Sequence, residues 1–213
     1  MNRTVFLVDG FNLYHSVVEA SRDATGTTTK WLDIKKLCFS YLPIAGKFGS
    51  EKATLERVYY FSAPPTHRTP DKLGRHLLFM KCLRATGINV ELARFKQKEV
   101  YCPNCKRVFI THAEKETDVA IAARLFEVCC GDECETVILM TGDTDLAPAV
   151  RVCKRMFPSK LVFFAFPYKR TNRELAGLAP ESFSIKLKAY LRNQFPDPLV
   201  LPDGTAIQKP SNW

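Results

Sequence analysis

The sequence predicts an α/β fold, a Rossmann-like three-layer sandwich built on a parallel sheet of about five strands. Three observations lead there. Short runs rich in branched and aromatic residues, Thr4–Val8, Leu55–Phe61, Asn89–Phe95, Val137–Met140 and Leu161–Phe166, have the length and composition of strands. Segments with the apolar spacing of helices separate them. Two of the runs end at once in acidic breaks, Asp9-Gly10 and Gly142-Asp143-Thr144-Asp145, at the strand ends where open α/β sheets bind ligands.

Each element has a local reason. Phe11–Ala20 carries Leu13, Val17 and Val18 at helical spacing, and the polar stretch 21–30 follows as a loop. Asp33 caps a helix that reaches Leu42, where Pro43 is expected to stop it. The breakers Pro64 and Pro65 close the second strand, and Pro70 opens an amphipathic helix, Asp71–Thr86, ended by Gly87. Residues 96–113 interrupt the rhythm as a Cys-containing insertion. Glu116–Cys129 is helical and apolar on most sides, which predicts a well-buried helix. Leu146–Met156 and Asn172–Leu178 are the next helices, and Phe183–Leu187 reads as an edge strand. The domain is expected to span residues 1–190. Residues 191–213 form a Pro-rich, weakly patterned tail that packs loosely or docks on a partner.

Composition narrows the partners. The chain has 213 residues and a net charge of +9, with an ordinary 46% of hydrophobic residues. The excess charge is concentrated. Residues 65–84 carry five Lys or Arg against one acid, 94–107 five against one, and 160–195 seven against two. Basic windows of this kind neutralise phosphates, so nucleic acid is the natural partner, with solvated helix faces as the plain alternative. No apolar run approaches a membrane span, and Val5–Val8 is too short for a signal peptide, so a cytoplasmic location and no membrane partner are expected. Eight cysteines in such a chain point to thiols or metal ligands before disulfides. A homodimer is left open.

The chemistry is expected from carboxylates. Asp9 ends the first strand, Asp143 and Asp145 follow the fourth, and Asp118 opens the helix leading into it. Singly, each fits a turn or a helix cap. Together at one sheet edge they would repel unless protonated, paired or bridged, and hard cations such as Mg²⁺ or Mn²⁺ take such all-oxygen ligands. Right-handed crossovers place the loops after the strands on that same edge, beside the basic windows.

Three stretches resemble a known family. VDGFNLYHS at Val8–Ser16, EKETDVAIA at Glu114–Ala122 and TGDTDLAPAV at Thr141–Val150 look like the ordered signatures of the NYN domain of the PIN-like nuclease superfamily, closest in pattern to its LabA-like branch. The resemblance runs to about Leu187. It implies that Asp9, Asp118, Asp143 and Asp145 are acidic metal-binding positions, that Asn12 is the polar residue beside the first, and that RNA processing is the role. The expected activity is metal-dependent hydrolysis of RNA, single-stranded by preference, leaving a 5′-phosphate and a 3′-hydroxyl. Lys115 and Thr141 are candidates for supporting or phosphate contacts. The alternative is a non-catalytic RNA-binding or adaptor protein with the same fold.

Other motifs carry less. Cys102-x-x-Cys105 with His112 has the spacing of half a structural zinc site and lacks a fourth ligand, with a reduced Cys hairpin or an intermolecular site as the alternatives. Cys129, Cys130 and Cys134 lie beyond a helix about 20 Å long and cannot complete it. Cys38, Cys82 and Cys153 fall on helical core patterns. Tyr59, Tyr60, Phe163 and Phe164 read as core. Tyr168, among Lys169, Arg170 and Arg173, is the candidate platform for stacking bases beside a phosphate-binding rim.

Overall fold

Six strands form one fully parallel sheet in a computed structural model that describes residues 1–49, 51–211 and 213. They are β1 (Asn2–Asp9), β2 (Ala53–Ser62), β3 (Asn89–Leu92), β6 (Thr136–Met140), β7 (Leu161–Phe166) and β8 (Phe183–Ser184), in the order β3-β2-β1-β6-β7-β8. Strands β1, β6 and β7 are almost wholly buried, as sheets covered on both faces require. The sheet grows outward from β1 in one direction through α1 (Gly10–Asp23), α2 (Ile34–Ser40), α3 (Leu42–Phe48) and α4 (Pro70–Ala85). It grows in the other through α5 (Thr117–Cys130), α6 (Ala147–Met156) and α7 (Arg173–Leu178). Right-handed crossovers therefore put α1–α4 on one face and α5–α7 on the other. The final helix, α8 (Leu187–Arg192), returns to pack on α1 and α2.

Four expectations need correcting. The edge strand proposed for Phe183–Leu187 pairs only at Phe183 and Ser184, and Leu187 already starts α8. Pro43 does not end a helix; it sits in the first turn of α3, where its missing N–H costs nothing, so one expected helix is two. The proposed third strand divides at Ala93, whose N–H donates to the Ser62 carbonyl and closes the sheet edge. Beyond it the insertion is an antiparallel hairpin, β4 (Arg94–Tyr101) with β5 (Val108–Lys115), which projects from the sheet ahead of α5.

The last correction concerns the C-terminal segment. It packs closely. Phe195, Leu199, Leu201 and Ile207 are buried, and β9 (Leu199–Val200) pairs with β10 (Ala206–Ile207). Trp31, at the end of the polar loop, is 1% exposed. Its indole N–H donates to the Pro196 carbonyl at 3.0 Å, and its ring meets Phe195 and Trp213 edge-on. These apolar residues follow neither helical nor strand periodicity, so the pattern carries no sign of their burial. The cysteines at 38, 82 and 153 and the aromatic residues of β2 and β7 are core, as expected.

Candidate carboxylate site at the sheet edge

Asp9 is the centre of the edge. It is the last residue of β1 and the N-cap of α1, and it is 5% exposed. One carboxylate oxygen accepts the Asn12 N–H at 2.9 Å, and the other accepts the Thr141 hydroxyl at 2.8 Å. Burial nevertheless pushes its pKa up to about 6, with Asp118 and Asp143 adding to the rise. Gly10, immediately after it, has no room for a side chain, since a Cβ would lie 2.4 Å from the Phe61 carbonyl oxygen. The first turn of α1 is thereby held hard against β2.

Asn12 and Thr141 join the ends of the two central strands. The Asn12 side-chain oxygen accepts the Gly142 N–H at 3.1 Å, and Thr141 Oγ1 accepts the Asp143 N–H at 3.1 Å. Asp143 in turn caps a short 3₁₀ turn, Thr144–Leu146, by accepting the Asp145 N–H at 3.0 Å. The capping role and the acidic-edge role thus fall on the same residue. Asp118 lies in the first turn of α5, and its pKa is raised by partial burial and then by Asp143 and Asp145. The four aspartates singled out in the sequence therefore lie along one edge, where Asp118 and Asp143 act on Asp9, and Asp143 and Asp145 act on Asp118. Lys115 is exposed at the end of β5, opposite Arg94, and forms no ion pair with them among the described residues.

A fifth carboxylate goes beyond the sequence expectation. Glu114 is half-buried near the end of β5, where the Thr117 hydroxyl donates to it. Burial raises its pKa first, and Asp9 and Asp118 raise it further. Its signal lies inside the second signature, four residues before Asp118, but nothing in that stretch marks β5 as a strand whose end reaches the site.

Beside Asp9 a cleft of about 540 Å³ opens between α1, α4 and the hairpin. Phe11, Tyr14 and Glu114 line it together with Arg68, Lys72 and Arg75. Phe11 and Tyr14 are 47% and 55% exposed, and both rings pack edge-on against His15. Exposed rings on the first turns of a helix are a second unexpected feature, because helical periodicity marks a core face and says nothing of the outer one. His112 belongs to the far wall, stacked 4.3 Å from His67, with Phe95 against the other ring.

On the opposite flank the predicted rim divides. Tyr168 donates its hydroxyl to Asp23 at 3.0 Å, and Lys169 forms an ion pair with the same carboxylate at 2.7 Å. Asp23 ends α1, about 20 Å along the helix from Asp9, so these two side chains are drawn away from the acidic edge. Arg170 stays beside it. Its carbonyl lies against Gly142, where a Cβ would come within 2.2 Å, and its charge reaches His15, whose pKa is lowered by burial and then by Arg170. Arg173 is exposed at the start of α7.

The expected zinc half-site is not assembled. Cys102 and Cys105 occupy the hairpin tip, whereas His112 pairs with Gln97, four residues below Val108 and roughly 13 Å away along the strand. Among the described residues no three His, Cys, Asp or Glu side chains are gathered tightly enough to enclose an ion. No helix is long and apolar enough to cross a membrane among those residues.

No curated protein matches the chain. A solved structure of a protein of unknown function, VPA0982 from Vibrio parahaemolyticus, is similar over 87% of this chain and 93% of its own, with a TM-score of 0.58 and 19% identity. At that identity the likeness concerns the fold. The NYN domain pattern matches residues 3–186, from the strand that delivers Asp9 through the helix start carrying Asp118 and the loops carrying Asp143 and Arg170. The chain belongs to the NYN domain family, within the PIN-like nuclease superfamily.

Proposed function

We propose that this protein is a metal-dependent ribonuclease that hydrolyses phosphodiesters of single-stranded RNA at the acidic edge. One observation carries the reading. Asp9 is buried, lacks a cationic partner among the described residues, and is repelled by Asp118 and Asp143. An arrangement that raises the energy of its own charged form is stabilised by a cation, and hard oxygen donors suit Mg²⁺ or Mn²⁺. Mg²⁺ keeps several waters and takes one or two carboxylates, so it does not need a closed protein cage.

Asp9 and Asp143 are the residues that would hold the ion, with Asp118 and Asp145 as further donors. Such an ion lowers the pKa of bound water and offsets charge on the phosphoryl and leaving oxygens. The chain supplies the rest. Asn12 and Thr141 fix the Asp9 carboxylate and the Gly142 backbone relative to one another, so the strand ends cannot drift apart. Glu114, whose pKa is raised by burial and by Asp9 and Asp118, is placed beside the cleft to take the proton of the attacking water. Arg170 on one flank and Arg68 and Lys72 on the other attract the phosphate backbone, and Phe11 and Tyr14 offer faces to unstacked bases.

Asp143→Asn tests the reading. Asparagine keeps the oxygen that caps the 3₁₀ turn and removes the charge. Mn²⁺-dependent cleavage of single-stranded RNA should fall by about two orders of magnitude or more, as loss of a key electrostatic group does, with an unchanged melting temperature. Cleavage at the wild-type rate would reduce Asp143 to a cap. Wild-type protein that binds RNA and never cleaves it, with either cation, would favour an adaptor.

A further inference from the structure

The hairpin tip presents half of a metal site with nothing in its own chain to complete it. Cys102 and Cys105 flank a tight turn closed by two hydrogen bonds, Cys102 N–H to the Arg107 carbonyl and Lys106 N–H to the Cys102 carbonyl, both 2.9 Å. Lys106 takes a left-handed φ of 53°, which turns the chain back into β5. This turn holds the two cysteines three residues apart at the very end of the hairpin, the C-x-x-C spacing at which paired thiols ligate zinc. Paired thiols at such a turn suit a soft or borderline metal such as zinc. Cys105 is exposed and Cys102 partly so.

The missing ligands cannot come from the same molecule. His112 is held at the base of the hairpin by its stack on His67. Cys129 and Cys130 end α5, which runs about 20 Å away from the hairpin base, and Cys129 and Cys134 are buried against Cys153 and β6.

We infer that Cys102 and Cys105 bind a zinc ion shared with the same two residues of a second copy of this chain, tip to tip across a two-fold axis. Two general rules and one observation converge on that occupant. Structural zinc takes four thiolates in a tetrahedron, and two identical tips supply them. A two-fold contact is self-complementary, so one half-site needs only its own copy. The flanks of the tip are apolar and uncovered, with Tyr101 at 59%, Val108 at 59% and Ile110 at 60% exposure, on a two-stranded hairpin of a kind that is marginal unless packed. Charge agrees as well. Binding releases the thiol protons and leaves four thiolates on Zn²⁺ with a net charge of −2, which Lys106 and Arg107 beside each tip offset. The sulfur chemistry is distinct from the carboxylate edge, so the dimer stands or falls apart from nuclease activity.

The test uses the full chain, purified without chelator from zinc-supplemented cells, with elemental analysis and light scattering on the same sample. The expected result is one zinc per two chains in a dimer that dissociates with a strong chelator and re-forms on adding Zn²⁺ alone. Cys102→Ser and Cys105→Ser should each lose zinc and run as monomers while keeping the wild-type far-UV spectrum. His112→Ala should keep both zinc and dimer. One zinc per chain in a monomer, a chain without zinc, a dimer surviving in the Cys→Ser variants, or zinc lost with His112→Ala would each overturn the inference.

Discussion

Asp9 serves two demands that conflict. As an N-cap it accepts the Asn12 N–H, and at the centre of the edge its charge would sit in a buried place beside other acids. Its pKa rises from 3.8 to about 6, so the folded chain holds this proton more tightly than the unfolded chain does. The stabilisation from that proton is complete below about pH 4 and is lost as pH rises through about 6, which amounts to about 3 kcal/mol. Asp9→Asn removes the charge and disturbs one hydrogen bond, at a cost of about 1 kcal/mol. The variant should therefore be more stable than wild type by about 2 kcal/mol at pH 8 and less stable by about 1 kcal/mol at pH 4. Urea denaturation at both pH values in EDTA checks this, and equal shifts at the two would mean the carboxyl titrates normally. The sequence revealed Asp9, Asp118, Asp143 and Asp145 because strand ends and first helical turns are positions with recognisable signals. Glu114, Phe11 and Tyr14 were not legible, since their roles depend on where a hairpin and an outer helix face come to lie.

At the level of elements, what could be read was what repeats. Five strands and most helices declared themselves through buried runs and apolar spacing. The hairpin did not, because both of its strands are exposed on both faces and neither alternates. The split of one expected helix at Tyr41 was hidden for a different reason, as proline both ends helices and begins them. The C-terminal segment is the largest departure. Its Phe195 backbone N–H donates to the Trp31 carbonyl at 2.9 Å, and its ring is 4% exposed between Trp31 and Phe79. Phe195→Ala should then cost about 3–5 kcal/mol, the usual loss for a buried phenylalanine, whereas a loosely packed tail would cost almost nothing. The midpoint of chemical denaturation distinguishes the two.

For the molecule as a whole, strand order decides how a polymer could lie. With β1 and β6 at the centre, the loop after β2 and the start of α4 bring Arg68 and Lys72 to one side of the carboxylates, and the loop after β7 and the start of α7 bring Arg170 and Arg173 to the other. A single strand crossing the edge meets cations before and after it meets the acids, which gives the net charge of +9 a direction as well as a sign. Removing one phosphate-binding cation should flatten the log–log salt dependence of single-strand binding by about 0.7. Replacing Lys169, Arg170 and Arg173 together by alanine should flatten it by about 1.4 and not by about 2.1, because Lys169 is already neutralised by Asp23. Lys169→Ala alone should leave the slope unchanged. The triple variant should bind all single-stranded RNA sequences more weakly, since interactions with the phosphate backbone carry no sequence information. In a nuclease, kcat/KM falls in parallel with affinity, because the same cations position the phosphodiester over the acidic edge. In an adaptor, affinity falls with no Mn²⁺-dependent cleavage to lose. Titrations of wild type and both variants over a salt series, in Mn²⁺ and in EDTA, read all of these at once. A triple variant with the wild-type slope would move the RNA path off this flank and onto the Arg68 and Lys72 side of the cleft.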